Sequence, residues 1–386
     1  MKELSVIDSK EKKVEYIELI YDLIFVYIIG RNNSLLHHVP NGFVEPGMFA
    51  AYVLCTLAVI QIWNFTIYYI NLYGRNSVRD HVFLFVNMFL LYFIGEGTRE
   101  NWQDYHTQYH AAWALILLNV GLQYIIEYRR HREEPEHVRR IKHMAVIVMT
   151  EAAIVALCIP FYKVTGSTLL TPVAILFGIG ITLFSGCKSN SDLVDFPHLS
   201  ERAMLYVVLT FGEMIIAVSG YFEGKLTANS LYFSLMGFLI VVGLFLSYGY
   251  FYDKIIDRER KTNGLGYMLM HIFIIFALNN ITTSLEFMRN EAVSLLPKML
   301  MLTGSFVIYY VFLFSLGVYA KRKCAITFRF YLTMAAIGTV FAGLMLCFRN
   351  RMYVNIALTV IFVFGVFAAL RMMHRKSVGT EISDEA

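Results

Sequence analysis

The sequence predicts an all-α, polytopic membrane protein of about twelve transmembrane helices, and three observations support this prediction. Hydrophobic residues make up 57% of the 386 positions and charged residues 16%, whereas soluble domains usually carry roughly 25% charged residues. The mean hydropathy is positive, at +0.55. Apolar segments of roughly 20 residues, the length that spans a hydrocarbon core, recur along the chain with short polar interruptions. Lipid is therefore the expected surrounding of most of the chain.

The first apolar segment, residues 15–36, follows a charged stretch and carries Glu18 and Asp22. It has no small-residue cleavage site behind it, so we expect it to persist as a helix and not to be removed as a signal peptide. The later spans are expected at residues 48–71, 79–97, 106–127, 142–162, 168–186, 201–222, 229–252, 265–286, 297–319, 328–348 and 351–372.

The distribution of Lys and Arg residues predicts the orientation of these spans. If the first helix starts inside, the inner segments hold 25 of the 33 Lys and Arg residues. Because cytoplasmic loops retain positive charge, both termini are expected in the cytoplasm. The net charge of +4 then reflects topology and gives no support for a nucleic-acid partner.

No cofactor and no metal site are expected from the sequence. The five cysteines are scattered and form no CxxC pair. His106 and His110 are four residues apart on one predicted helix and could ligate zinc. Their place at the outer end of the fourth span favours hydration at the interface instead.

The rare polar residues within the spans recur at one spacing, which predicts an internal repeat. Equivalent positions are 190 or 191 residues apart, so six helices separate them and the two copies have the same orientation. We expect residues 1–190 and 191–373 to form two parallel six-helix repeats related by an axis along the membrane normal, followed by a cytoplasmic tail, 374–386. The matched pairs are Asp22 with Glu213, His81 with His271, Glu96 with Glu286, and Arg99 with Arg289.

Asp22 and Glu213 fall near the middle of their expected spans, where an unpaired ionised carboxylate costs several kcal/mol. Each should therefore face the bundle interior, find a partner or be protonated. Glu18 lies on the same helix face as Asp22 and would continue an acidic ladder to the inner surface. In the alternative interpretation, Glu18 is simply hydrated and Asp22 hydrogen-bonds a neighbouring helix.

Four further residues of the repeat lie at helix ends. His81 and His271 are expected at inner ends, and Glu96 and Glu286 at outer ends, about 22 Å further along the same helices. These helices could each line a pathway across the membrane. Hydration at helix ends, without a functional role, is the alternative.

The first span resembles the opening E-L-F-F-D-L-V-F-V of the bacterial low temperature requirement A (LtrA) family, in the string from Glu18 to Val26. His198, Glu201 and Arg202 are similar to the H-x-x-E-R segment of that family, and Gly212 precedes Glu213 as in its G-E pair. The resemblance implies a multi-pass protein of the bacterial cytoplasmic membrane that is linked to growth at low temperature. It does not imply a particular biochemical activity.

Three classes of function agree with these patterns. The leading hypothesis is movement of a small solute, a cation or a proton through a pseudo-twofold bundle with carboxylates at the midplane. A second is a membrane enzyme acting on lipid or an isoprenoid carrier, with the segment from His198 to Arg202 as its polar site. A third is a sensor that does not transport. The sequence contains no nucleotide-binding motif and no motif of a soluble hydrolase, so coupling to ATP within this chain is not expected. A membrane-embedded hydrolase or transferase would need none of these motifs, so an enzyme is less favoured but stays an alternative. The sequence specifies no oligomeric state.

Overall fold

The structure is a computed structural model and describes residues 12–98, 102–186, 194–222, 226–324 and 326–384. Arg99, one member of the proposed repeat pairs, lies outside these residues. The described chain forms twelve α-helices and no β-strand, which confirms the predicted fold class. The helices are α1 Tyr16–Asn32, α2 Pro46–Tyr73, α3 Val78–Glu96, α4 Trp102–Arg130, α5 Pro135–Thr165, α6 Leu170–Gly186, α7 Phe196–Ser219, α8 Ala228–Tyr250, α9 Leu265–Arg289, α10 Leu295–Ser315, α11 Phe328–Cys347 and α12 Met352–Asp384.

Ten of these helices are long and apolar enough to cross a membrane. The other two, α1 and α6, have 17 residues each. At 1.5 Å per residue such a helix is about 26 Å long, slightly less than the hydrocarbon thickness of about 30 Å. α12 continues to Asp384, so most of the segment expected as a tail extends this helix.

α7 begins at Phe196, five residues before the expected start at 201. The reason is local: the Asp195 side chain accepts a hydrogen bond from the His198 N–H at 3.0 Å, and Pro197 occupies the first turn. This earlier start moves Arg202 from the expected membrane surface into the second turn of the helix. It also places Glu213 only six residues before the helix ends at Ser219.

Corresponding helices of the two halves have corresponding neighbours. In the first half α1 packs on α2 and α3, α4 on α3 and α5, and α6 on α2 and α5; the same pairs recur six helices later. The halves meet where α1 and α2 contact α7, and where α2 and α6 contact α9. The core of the molecule therefore lies at the junction of the halves.

The connections between helices gather at two ends of the bundle. We call one the basic end; it carries the start of α1 and the connections with Arg75, Arg130 and Lys321. The opposite end carries the turns that follow α1, α3 and α9, with Arg31, Glu96 and Arg289.

Candidate functional site

The centre of the site is Arg202, a guanidinium with no solvent exposure between α1 and α7. Its Nε and Nη2 atoms donate to the two carboxylate oxygens of Asp22 at 3.0 and 2.6 Å. Its Nη1 donates to the Glu18 carboxylate, and Nη2 also donates to the Glu18 backbone carbonyl at 3.2 Å. Charge-assisted, bidentate bonds of this kind are among the strongest in proteins. The ladder of acids on α1 is therefore held by one buried cation.

Asp22 receives a third hydrogen bond, from the indole of Trp63 on α2. The Trp63 Nε1–H donates to Asp22 Oδ1 at 2.8 Å, and both side chains are fully buried. The Tyr206 ring of α7 packs against the indole, with 4.5 Å between ring centroids. The bond from Trp63 fits the interpretation that Asp22 hydrogen-bonds a neighbouring helix. The ion pair with Arg202 is a further contact that the sequence did not indicate.

His198, one turn before Arg202, faces Glu18. Its Nε2 lies 3.3 Å from Glu18 Oε2, while Asn71 Nδ2 donates to its Nδ1 at 3.1 Å. Because Nδ1 accepts, a neutral imidazole carries its proton on Nε2 and directs it at the carboxylate. Asn71 also donates to the Asp195 carbonyl at 2.7 Å, which ties the end of α2 to the start of α7.

Lys12 lies at the basic end and joins the start of α7 to the end of α2. Its backbone N–H donates to Asp195 Oδ2 at 3.1 Å, and its ammonium donates to the carbonyls of Ile70 and Gly74, the latter at 2.8 Å. Burial lowers the pKa of Lys12, while the negative charges of Glu18 and Asp195 oppose this shift.

His81 lies close to this cluster. It shares with Glu18 a cavity of about 20 Å³ whose lining also includes Asp80 and Gln123. This volume holds about one water molecule. The imidazole Nε2 is 2.6 Å from Asn76 Oδ1. Beside Glu18, the described residues thus leave a space the size of about one water.

A chain of polar contacts leads away from Asp22 across the first half. Tyr21 donates to Thr66 Oγ1 at 3.0 Å, and Asn87 Nδ2 donates to the Tyr21 hydroxyl at 3.4 Å. Asn119 Nδ2 then donates to Asn87 Oδ1 at 2.7 Å. These buried groups join α1, α2, α3 and α4, and they position the helix that carries Asp22.

Glu213 does not share the depth of Asp22. Its carboxylate borders Gly30 on α1, where an added Cβ would lie 3.6 Å from Glu213 Oε2. Gly30 follows Asp22 by eight residues, about 12 Å along the helix. Asp22 and Glu213 therefore do not share the midplane position that the sequence predicts. The reason is that α7 starts earlier than predicted.

Glu213 lies within electrostatic range of Glu286 on α9, the acid matched with Glu96 in the repeat. Both carboxylates are half-buried, and among the described residues Glu213 forms no hydrogen bond or ion pair. Glu286 also interacts with Arg289, whose guanidinium lies over the Tyr221 ring at 5.4 Å. Two half-buried acids from different helices thus lie within electrostatic range of each other toward the opposite end.

A cavity of about 590 Å³ lies at the opposite end. It is an open pocket lined by residues of α8, α9, α10, the start of α12 and the turn after α7. Neither Glu213 nor Glu286 lines it, but Arg289, which does, also interacts with Glu286. Other polar lining residues are Tyr221, Ser230, Glu291, Lys298 and Tyr353.

The remaining predicted residues have separate environments. Glu96 pairs with Arg31 at 3.6 Å, with both side chains partly exposed. His271 is fully buried: its Nδ1 donates to the Tyr267 carbonyl at 2.8 Å, and the Tyr248 hydroxyl donates to its Nε2 at 2.9 Å. His271 is therefore neither hydrated nor placed like His81.

Two residues of the H-x-x-E-R and G-E motifs lie away from the buried cluster. Glu201 is partly exposed and, within the described chain, forms no side-chain hydrogen bond or ion pair. Gly212 has no atom within 4 Å of an added Cβ. The segment from His198 to Arg202 is largely internal, so an enzyme acting there from the interface would have to separate α1 from α7.

Glu151 is another buried acid of the first half. Glu151 on α5 accepts a hydrogen bond from Gln61 Nε2 at 3.3 Å, and neither side chain is exposed beyond 2%. Both groups press against Gly178 on α6, where an added Cβ would overlap them. This contact joins α2, α5 and α6 and has no counterpart in the predicted repeat.

His106 and His110 are not hydrated, contrary to the expectation from their position at a helix end. Their exposures are 1% and 0%, because α5 and α6 cover them. His110 Nδ1 is bonded to the His106 carbonyl and Nε2 to Thr171 Oγ1. With both nitrogens of His110 occupied, this pair is not arranged for zinc.

Consecutive polar residues of α9 form hydrogen bonds within the bundle. Asn279 Nδ2 donates to Asn33 Oδ1 at 3.0 Å and to the Tyr52 hydroxyl at 2.9 Å, which joins the two halves. The other polar residues bond carbonyls of their own helix, four positions earlier; they are Asn280, Thr282, Thr283 and Ser284.

Comparison with known proteins agrees with the arrangement of these motifs. Residues 13–366, nearly the whole chain, match the family model described as bacterial low temperature requirement A protein (LtrA). The match includes both α1 with its acids and α7 with Arg202. No curated protein sequence matches the chain.

Proposed function

The chain belongs to the LtrA family, and we propose that it moves a small cation or a proton across the membrane, with Glu213 and Glu286 as the binding carboxylates. One observation carries this proposal: two half-buried acids from α7 and α9 lie within electrostatic range of each other, and Arg289, which interacts with one of them, lines a cavity. Like charges within range of each other repel, and a bound proton or cation relieves that repulsion.

The contrast between the two ends of the bundle supports a transport cycle. At the opposite end, a cavity of about 590 Å³ is lined by Arg289, which interacts with Glu286 of the acidic pair. At the basic end, Glu18 and Asp22 are paired with Arg202, and the neighbouring cavity measures about 20 Å³. In this proposal the structure represents a state open toward the opposite end and closed at the basic end.

α1 is the element that could couple the two ends. It carries Asp22 against Arg202 at one level and Gly30 against Glu213 at another. A shift of α1 relative to α7 would change both contacts together. Occupation of the acidic pair would then alter the stability of the ion pair that closes the basic end, as alternating access requires.

The two-repeat arrangement stays part of the proposal. Its support is the recurrence of the same helix neighbours six helices later, together with the matched spacing of the acids. We also propose the cytoplasmic membrane as the location, with the basic end facing the cytoplasm, because loops rich in Lys and Arg are retained there.

The experiment is flux into proteoliposomes. Protons, Na⁺ and K⁺ are tested separately, with a dye that reports the pH or the ion inside the vesicles. We expect the wild type to move at least one of these ions, and Glu213→Gln combined with Glu286→Gln to lower the rate to the level of empty vesicles. Glu291→Gln is the control, since this exposed acid lines the cavity but does not belong to the pair.

Two results would overturn the proposal. One is the absence of flux of all three ions through a folded wild-type protein. The other is wild-type flux through the double variant. A role in growth at low temperature, which the family description suggests, is tested by complementing a deletion strain in the cold with the wild type and the double variant.

A further inference from the structure

Three potential metal ligands converge in the turn between α4 and α5, at the basic end. They are His131, Glu134 and His137, and one ligand atom of each lies within 4.8 Å of the other two. His131 directly follows α4, Glu134 precedes α5, and His137 is in the first turn of α5. The short connection holds all three on one side of the turn.

The separation of two of these ligands already suits a metal ion. His137 Nε2 and Glu134 Oε2 are 3.3 Å apart. Two ligands bound to one tetrahedral zinc at about 2.0 to 2.1 Å are separated by roughly 3.3 Å. The His131 ligand atom lies within 4.8 Å of the other two, so a side-chain rotation of His131 has to shorten these distances by at most about 1.5 Å.

His131 is oriented as metal-binding histidines usually are. Its Nδ1 donates to the Glu127 carbonyl at 3.1 Å and lies 3.6 Å from the Glu127 carboxylate. An acceptor bonded to Nδ1 in this way fixes the tautomer of the imidazole and leaves Nε2 for the metal. The two imidazoles stack with 4.8 Å between centroids, and the Tyr73 ring packs on both.

The charges around the cluster are mixed. Arg79 and Arg130 approach from one side, but both are paired with Glu127, at 2.7 and 3.2 Å. Arg140 is within range of His137, as is Glu136 on the other side. Glu134 is about half exposed, which leaves a path for an ion from water.

We propose that His131, Glu134 and His137 form a binding site for Zn²⁺ or a similar divalent transition-metal ion, with water in the fourth position. Two imidazoles and one carboxylate are a common ligand set for zinc. Occupation would fix the α4–α5 turn against the end of α2, through Tyr73. The site is separate from the acids of the proposed transport pathway.

The test is titration of the purified full-length protein with Co²⁺, after removal of any histidine tag and treatment with a chelator. Tetrahedral Co²⁺ absorbs visible light strongly. We expect one equivalent to give this absorption in the wild type and Zn²⁺ to abolish it by displacement. His137→Gln and Glu134→Gln should lower the affinity on the order of 100-fold, whereas His143→Gln, on the same helix outside the cluster, should not change it.

A second measurement separates a metal site from damage to the fold. Zn²⁺ should raise the melting temperature of the wild type and of His143→Gln, but not that of His137→Gln, although all three elute alike in gel filtration. No absorption with the wild type, or equal absorption and equal stabilisation in the His137→Gln protein, would overturn the proposal.

Discussion

Asp22 and Arg202 occupy the same position on two parallel helices, since each stands six residues after the first residue of α1 or α7. The guanidinium binds both carboxylate oxygens, at 3.0 and 2.6 Å. One turn earlier the same register places His198 opposite Glu18, at 3.3 Å. The two halves of the chain are thus joined at their first helices by an ion pair and a histidine–carboxylate contact in the same register.

Replacing Arg202 with Met should destabilise the protein by about 3 to 5 kcal/mol, because two buried carboxylates lose their cation. Arg202→Lys should lose less stability than Arg202→Met, because lysine keeps the positive charge, although it cannot form the bidentate hydrogen bonds. Thermal unfolding in detergent measures both. Adding Glu18→Gln and Asp22→Asn to Arg202→Met should recover much of the loss. A melting temperature of Arg202→Met equal to that of the wild type would contradict the assigned ion pair.

Trp63→Phe should cost about 1.5 to 3 kcal/mol, since the indole donates to a charged acceptor, Asp22, at 2.8 Å. Trp113→Phe is the matched control. This indole is also fully buried, but its Nε1 has no hydrogen-bond partner. Chemical unfolding should therefore show a larger loss for Trp63→Phe. The assignment fails if the two variants lose the same stability.

Gly178→Ala should destabilise the protein by about 1 to 3 kcal/mol, because the new methyl group would overlap Gln61 and Glu151. Gly180→Ala, two residues later on α6, meets no atom within 4 Å. It should be neutral or stabilise the helix by up to about 1 kcal/mol. The melting temperature of Gly178→Ala should fall, while that of Gly180→Ala should stay unchanged or rise. An equal fall in both variants would argue against the close contact of α2, α5 and α6.

Tyr248→Phe should cost about 1 to 3 kcal/mol, since it leaves Nε2 of the buried His271 without its donor. Tyr206→Phe provides the comparison, because the Tyr206 hydroxyl is buried without a hydrogen-bond partner. Removing that hydroxyl should cost little. Thermal unfolding of the two variants distinguishes them, and equal losses would show that the bond to His271 contributes nothing measurable.

The helices could be located from the sequence because apolar length alone determines what spans a bilayer. Local signals are informative as well. Asp195 as an N-cap and Pro197 in the first turn are typical of a helix start, and together they predict the start of α7 correctly. The hydropathy pattern alone predicts that this helix starts at 201, which places Arg202 at the membrane surface. A buried guanidinium at this position is therefore not predicted from hydropathy.

The partners within the bundle could not be predicted in the same way. The sequence indicates that Asp22 needs a partner, and it places Glu18 on the same helix face, but the pairing of both acids with Arg202 depends on the register between α1 and α7. That register is set by tertiary packing over a separation of 180 residues. Likewise, His81 and His271 match in sequence but differ in burial, because the surrounding helices differ.

The ionic contact of α1 also has a consequence for biosynthesis. α1 is short and carries two acids, and a carboxylate at the centre of a lone helix raises the free energy of insertion by about 2.5 to 3.5 kcal/mol. Arg202, which pairs with these acids, is translated 180 residues after Asp22. The first helix should therefore remain near the translocon, or at the lipid surface, until α7 emerges from the ribosome. Ribosome-bound chains that end before Arg202 should have α1 more accessible to aqueous reagents than chains that include α7.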